Sequence, residues 1–197
     1  MGVSVNYGNI LSEIQMDQDE IDYMVDLISA LPANALMVEW GAGGSTCKWL
    51  STLTETQKLI TIEHNDIWYN KVVSASKVHF GDVSERFTCM HYPEENEFKH
   101  VYGSINEEHP TGLKHYFNPE VVNFFNADIF FIDGVARATC ALIVLLKHTK
   151  SNPAIFIHDY YGREQWYAWI TQFFTVSKVG STLARLHPKQ HNNRGLH

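Results

Sequence analysis

Val38-Glu39-Trp40-Gly41-Ala42-Gly43-Gly44-Ser45-Thr46 is the stretch on which the fold turns. The apolar run Ala35-Leu36-Met37-Val38 leading into it reads as a buried strand, and Cys47-Lys48-Trp49-Leu50-Ser51-Thr52-Leu53 after it reads as a helix. An acid closing a strand, a glycine turn and a Ser or Thr opening a helix make a loop suited to a nucleotide-type cofactor. Glycine permits the tight turn and lets backbone N–H groups approach a ligand with no side chain in between. Ser45 or Thr46 is placed to cap the helix. The spacing excludes two common alternatives. A dinucleotide fingerprint needs Gly-x-Gly-x-x-Gly, and Thr46 stands at the third glycine position. A phosphate-binding P-loop needs Gly-Lys-Ser/Thr, which does not follow here.

Three more apolar runs end in acids. Lys58-Leu59-Ile60-Thr61-Ile62-Glu63 alternates, is β-branched, and places Glu63 24 residues after Glu39. That distance fits one strand–helix–strand unit, at whose end an acid holds ribose hydroxyls in nucleotide-binding sheets. Ala127 to Ile132 is followed by Asp133-Gly134, and Pro153 to Ile157 by His158-Asp159-Tyr160. Open α/β sheets bind ligands at the carboxyl ends of their strands, so four acids in register point to one ligand edge.

Composition sets the class. A hydrophobic fraction of 45% and a charged fraction of 19% over 197 residues fit one soluble globular domain with a sizeable core. The net charge of −7, with no Lys/Arg run, argues against a nucleic-acid substrate. The start Met1-Gly2-Val3-Ser4-Val5-Asn6 lacks a signal-peptide pattern, and no apolar run is long enough for a membrane helix. Cys47, Cys89 and Cys140 are odd in number and widely spaced, which suggests buried thiols rather than a disulfide framework or zinc site. The expected setting is reducing and cytoplasmic, with no membrane partner.

Residues 1–16 read as an N-terminal arm and residues 17–197 as a single domain. Asp17-Gln18-Asp19-Glu20 starts a helix that Pro32 stops. Helices are expected at 45–54, 66–75, 120–125, 137–147 and 164–174. Strands are expected at 35–40, 58–63, 87–92, 127–132 and 154–158, with a closing pair at 175–179 and 182–186. Residues 93–118, with Pro93 and Pro110, Gly103 and Gly112, and several acids and histidines, interrupt the pattern and read as an insertion or lid over the ligand edge.

The glycine loop with its acid resembles motif I of class I S-adenosylmethionine (SAM)-dependent methyltransferases. The order of the later strands agrees with the resemblance over nearly the whole chain after residue 17. Phe131-Ile132-Asp133-Gly134 and His158-Asp159-Tyr160 are similar to the Ile-Asp-Gly and Asp-Tyr pattern of small sugar-modifying, macrocin-type O-methyltransferases. The resemblance implies a doubly wound, seven-stranded Rossmann-like α/β sheet with helices on both faces. It implies that Glu39, Gly41, Gly43 and Ser45 surround the methionine part of SAM. Glu63 takes the ribose hydroxyls, His64 lies next to the adenine, and Asp133 also borders the cofactor. It further implies magnesium or manganese held by Asp133 and Asp159. Tyr160 stands where catechol-type relatives carry an Asn, so no third ligand is identified.

The expected reaction is methyl transfer to a hydroxyl of a small molecule or a glycan sugar such as a deoxysugar. Asp133, His158 and Asp159 are the catalytic candidates, and His158 or Asp133 would act as general base without a metal. Arg137 would pair with Asp133 or hold the acceptor. The aromatic run Tyr160, Tyr161, Trp166, Tyr167 and Trp169 suits either sugar stacking or packing. The unassigned arm suits a domain within a larger multidomain glycan-building protein. The alternatives are a non-catalytic SAM- or nucleotide-binding domain, and a nucleotide-dependent enzyme of another class.

Overall fold

The computed structural model describes residues 10–93 and 113–189, the side chains of residues 11 and 12 excepted. Seven strands, β1 (Leu36–Trp40), β2 (Lys58–Glu63), β3 (Phe87–His91), β4 (Ile129–Ile132), β5 (Ala154–Ile157), β6 (Phe174–Lys178) and β7 (Ala184–Pro188), form one sheet. Their order is β3-β2-β1-β4-β5-β7-β6. The first five run parallel, and β7 is antiparallel to both β5 and β6. The order reverses between β1 and β4, the topological switch point where an open α/β sheet opens a crevice.

Alternation along the strands divides the core. Val38, Trp40, Ile60, Ile62, Phe130, Ile132, Ile155 and Ile157 face one layer, with α5 (Arg137–Lys147). Met37, Leu59, Ile129, Phe131 and Phe156 face the other, with α1 (Gln18–Ser29), α2 (Gly44–Thr52) and α3 (Asp66–Phe80). Both faces are covered, so the central strands read as continuous apolar runs, as buried parallel strands do. Trp49 on α2 and Phe131 on β4 are fully buried and meet edge to face at 5.4 Å. Truncating such a residue to Ala costs about 3–5 kcal/mol.

Several elements differ from expectation for identifiable reasons. The helix expected at 120–125 is a 3₁₀ turn at Phe124–Asn126, because Asn123 at φ 65° breaks the helical path. The end of the stretch read as a lid belongs to the core. Leu113 and Tyr116 are buried, the short helix α4 (Lys114–Phe117) packs on α5, and Trp40 Nε1 donates to the Tyr116 carbonyl at 2.9 Å. Residues 94–112 of that stretch lie outside the described residues. The helix expected over 164–174 is α6 (Glu164–Tyr167) followed by a 3₁₀ turn at Ala168–Gln172, and Phe174 already opens β6. Residues 10–16 pack against the domain. Ile10 is buried in the core, and the 3₁₀ turn Ile10–Glu13 sits on α2. All three cysteines are free, and burial pushes the Cys47 thiol up to about 12. Among the described residues no helix is long and apolar enough to cross a membrane.

Candidate active site

A cleft of about 370 Å³ opens at the switch point. One wall is the loop Gly41 to Ser45, and the opposite wall is Asp133, Gly134, Val135, Arg137, His158 and Asp159. Glu63, His64, Asn65 and Trp68 line one end, and Glu13 to Met16 lie across it. The volume falls in the range of small-molecule sites.

The loop needs glycine at one place above all. Gly41 has φ 92°, and a Cβ there would lie 2.6 Å from the Gly134 backbone nitrogen. Loop and β4 turn thus touch backbone to backbone, and Gly41 N–H donates to the Ile62 carbonyl at 2.8 Å. Gly44 is needed for a different contact: its Cβ would lie 2.7 Å from the Ile10 carbonyl oxygen. Gly43 has open space around it.

Glu39 is corrected from cofactor contact to loop support. It pairs in register with Thr61 and Phe131, so pleating turns its side chain to the α2 face, where it is fully buried. Three hydroxyls donate to it: Ser45 at 2.9 Å, Thr46 at 2.7 Å and Thr61 at 2.9 Å. Ser45 and Thr46 therefore do not cap α2, whose N-cap is Gly43. The Thr46 hydroxyl instead accepts from Gly43 N–H at 3.0 Å. Burial raises the Glu39 pKa to about 8 against the opposing hydroxyl bonds, with the charge of Asp133 adding to the rise.

Glu63 binds backbone on both sides of the cleft floor. It accepts from Ala42 N–H at 2.6 Å, His64 N–H at 2.7 Å and Asn65 N–H at 2.6 Å. His64 Nδ1 also lies 3.0 Å from Oε1, so of the roughly four acceptor positions of a carboxylate the one left is on Oε2, and Glu63 lines the cleft. His64 lies edge-on to Tyr116 with ring centroids 5.7 Å apart.

The opposite wall is a charge cluster. Asp133 Oδ1 is 2.8 Å from His158 Nδ1 and 3.3 Å from Arg137 Nη2. Arg137 Nη1 lies 3.2 Å from Asp159 Oδ2, and Arg163 Nη2 lies 3.3 Å from the same oxygen. Arg137 Nε donates to the Gly134 carbonyl at 2.8 Å, and Nη1 also donates to the His158 carbonyl. Asp133, His158 and Asp159 offer ligand atoms within 4.8 Å of one another, so the clustering expected from sequence is present. One oxygen of each carboxylate is already engaged. The guanidinium already joins the two carboxylates, His158 Nδ1 already meets Asp133, and Tyr160 is buried against Tyr167. Asp133 and Asp159 thus meet where the sequence placed a metal, with Arg137 between them.

His158 lines the cleft but is nearly enclosed. It is 2% exposed, with Nδ1 on Asp133 and Nε2 facing the buried Glu20 at 3.6 Å. Burial alone would lower its pKa, but the hydrogen bond and charge of Asp133, helped by Asp159 and opposed by Arg137, leave it raised. Enclosed in this way, His158 holds the Asp133 carboxylate through Nδ1. Asp133 and Asp159 keep about a quarter of their side chains exposed to the cleft. Tyr160 and Tyr167 pack in the core, and Trp166 and Trp169 are exposed.

The sequence reading missed Trp68, Asn65 and the segment Glu13 to Met16. Trp68 had a usable signal, an aromatic in the first turn of the helix that follows a strand-end acid. Residues 13–16 had none, since only tertiary folding brings them over the loop.

No protein-family model matches the chain, and no curated protein matches it in sequence. Solved structures do match in fold. A methyltransferase-like protein from Silicibacter pomeroyi superposes with a TM-score of 0.68 at 16% identity, over 89% of this chain and 88% of that one. A Podospora anserina methyltransferase bound to S-adenosylhomocysteine gives 0.60 at 14% identity, over 89% and 80%. A proposed caffeoyl-CoA O-methyltransferase from Staphylococcus aureus gives 0.58 at 15% identity, over 88% and 85%. The chain has the seven-stranded Rossmann-like α/β fold shared by these methyltransferases.

Proposed function

We propose that the chain is a SAM-dependent O-methyltransferase that methylates a hydroxyl of a small molecule or glycan sugar. The observation that carries this reading is the cleft between Gly41 and Asp133. A glycine loop with close backbone approach forms one wall, and a carboxylate held for proton transfer stands on the other. The S-adenosylhomocysteine bound to the Podospora protein of the same fold supports the choice of cofactor. Bound in the cleft, SAM would supply an electrophilic methyl group.

The residues present fit such a cofactor. The loop from Gly41 to Ser45 would hold the methionine part, Glu63 has one acceptor position left for a ribose hydroxyl, and His64 and Trp68 flank the adenine end. Asp133 is the group on the acceptor side that takes the hydroxyl proton as the oxygen is methylated. His158 and Arg137 hold that carboxylate in place, and orientation of a reacting pair is worth several kcal/mol of barrier. Asp159 lies beside Asp133 as a second polar contact for the acceptor.

Calorimetric titration with S-adenosylhomocysteine tests the reading. Micromolar binding is expected, followed by methyl transfer from SAM to members of a hydroxyl-compound panel that includes phenols and deoxysugars. Asp133→Asn should keep the binding and lose turnover at least about a hundredfold, the range of general-base catalysis. Folded wild-type protein that fails to bind S-adenosylhomocysteine would refute the proposal.

A further inference from the structure

We infer that Arg137 takes the place of a divalent cation between the strand-end carboxylates, so that the transfer site works without metal. The inference rests on the cleft being a SAM site and concerns how its acceptor wall is neutralised.

Three features carry it. The first is position: the Arg137 fork reaches Asp133 Oδ1 at 3.3 Å and Asp159 Oδ2 at 3.2 Å, bridging the two acids that a metal would have to bridge. The second is anchorage. Arg137 is 8% exposed, its Nε donates to the Gly134 carbonyl at 2.8 Å, and Nη1 donates to the His158 carbonyl. Both carbonyls belong to the turns that end β4 and β5, so the guanidinium is built into the site. The third is the backbone around it. Ala136, just before Arg137, has φ 51°, and Asp159 has φ 52°. Non-glycine residues adopt this left-handed region only where surrounding contacts over-determine it. Here one strained residue precedes Arg137 in the chain and the other pairs with its guanidinium.

The donors for an ion are in part already engaged. Asp133 Oδ1 already meets two nitrogens, and Asp159 Oδ2 is shared by Arg137 and Arg163. The Tyr160 ring stacks on Tyr167 at 5.4 Å in the core. An arginine stays charged throughout the physiological range and its planar fork matches two carboxylates. It can therefore serve as a permanent counter-charge that fixes the proton-accepting Asp133. It supplies no Lewis-acid site to an acceptor oxygen. Arg137 is thus a positioning residue.

The test is metal binding by the full chain, followed with S-adenosylhomocysteine present. Protein stripped with a chelator and desalted is titrated with Mn²⁺, and free Mn²⁺ is read by electron paramagnetic resonance. The wild type should bind Mn²⁺ no tighter than millimolar, and its S-adenosylhomocysteine affinity should be the same in chelator and in Mn²⁺. Arg137→Met should expose both carboxylates and bind Mn²⁺ at least about tenfold tighter. If that variant does not fold, the wild-type titration decides alone. Stoichiometric micromolar Mn²⁺ binding by the wild type, lost in Asp133→Asn or Asp159→Asn, would overturn the inference while leaving the cofactor reading intact. Absence of S-adenosylhomocysteine binding under every condition would overturn both.

Discussion

The two ends of the cleft use carboxylates in opposite ways. At the glycine-loop end, Glu39 and Glu63 are buried and bonded by uncharged donors, three hydroxyls for the first and three backbone N–H groups for the second, which also has the His64 ring at 3.0 Å. At the far end, Asp133 and Asp159 are partly open and face the cations Arg137 and Arg163, with the His158 ring beside Asp133. Uncharged dipoles fix a backbone shape at little electrostatic consequence, which suits a loop that must hold a ligand by contour. Cations balance a charge and leave part of the carboxylate free to face the cleft. The same chemical group, placed at strand ends of one sheet, thus braces the backbone on one side and pairs with cations at the cleft on the other.

Gly41→Ala should break the scaffold side most severely. Its Cβ would enter the Gly134 backbone, and its φ of 92° disfavours any side chain. S-adenosylhomocysteine binding should weaken at least about a hundredfold and stability should fall by about 2–3 kcal/mol, read by calorimetry and urea unfolding. Glu39→Gln should change a pH profile. Because the Glu39 pKa rises from 4.5 to about 8 on folding, the folded chain keeps a proton that the unfolded chain releases. The stability this group confers is full below pH 4.5 and is lost as pH climbs toward 8. The slope is at most about 1.4 kcal/mol per pH unit. Urea unfolding between pH 5 and 8 should show that decline in the wild type and a flatter curve in Glu39→Gln. An unchanged profile would mean that Glu39 is ionised in the fold.

Trp68→Ala tests whether the open end of the loop side contributes to binding. Trp68 lines the cleft with Lys71 4.8 Å over its ring. The variant should bind S-adenosylhomocysteine about tenfold more weakly, about 1.4 kcal/mol, with an unchanged melting temperature. Gly43→Ala should do least. Its backbone is extended and a Cβ meets nothing closer than 4.0 Å, so affinity should stay within about twofold, under 0.5 kcal/mol. Equal losses in Gly41→Ala and Gly43→Ala would show that ligand contact, rather than loop geometry, sets the glycine requirement.

The fold was largely legible because its strongest signals are local. Apolar runs of strand length, each followed by Gly or an acid, gave β1, β2, β4 and β5 within one or two residues, and Arg137 to Lys147 carried a clear helical stripe. Local signals failed where a helix was built from aromatics. The 3₁₀ turn at Ala168–Gln172 follows from backbone geometry that side-chain periodicity does not encode. Asp133 and Asp159 were correctly brought to one place, because both follow strands that the topology makes adjacent.

The sequence by itself determined the α/β class, the glycine loop and which acids end which strands, since each depends on neighbours within a few positions. Tertiary structure decided what those acids do. Glu39 lies in a strand buried on both faces, so no alternation revealed that it turns toward α2 and away from the cleft. Arg137 is four residues from Asp133, a pairing visible in the chain, but 22 from Asp159. Only the parallel pairing of β4 with β5 brings the second carboxylate to its other nitrogen, because strand register, and not distance along the chain, sets which charges meet.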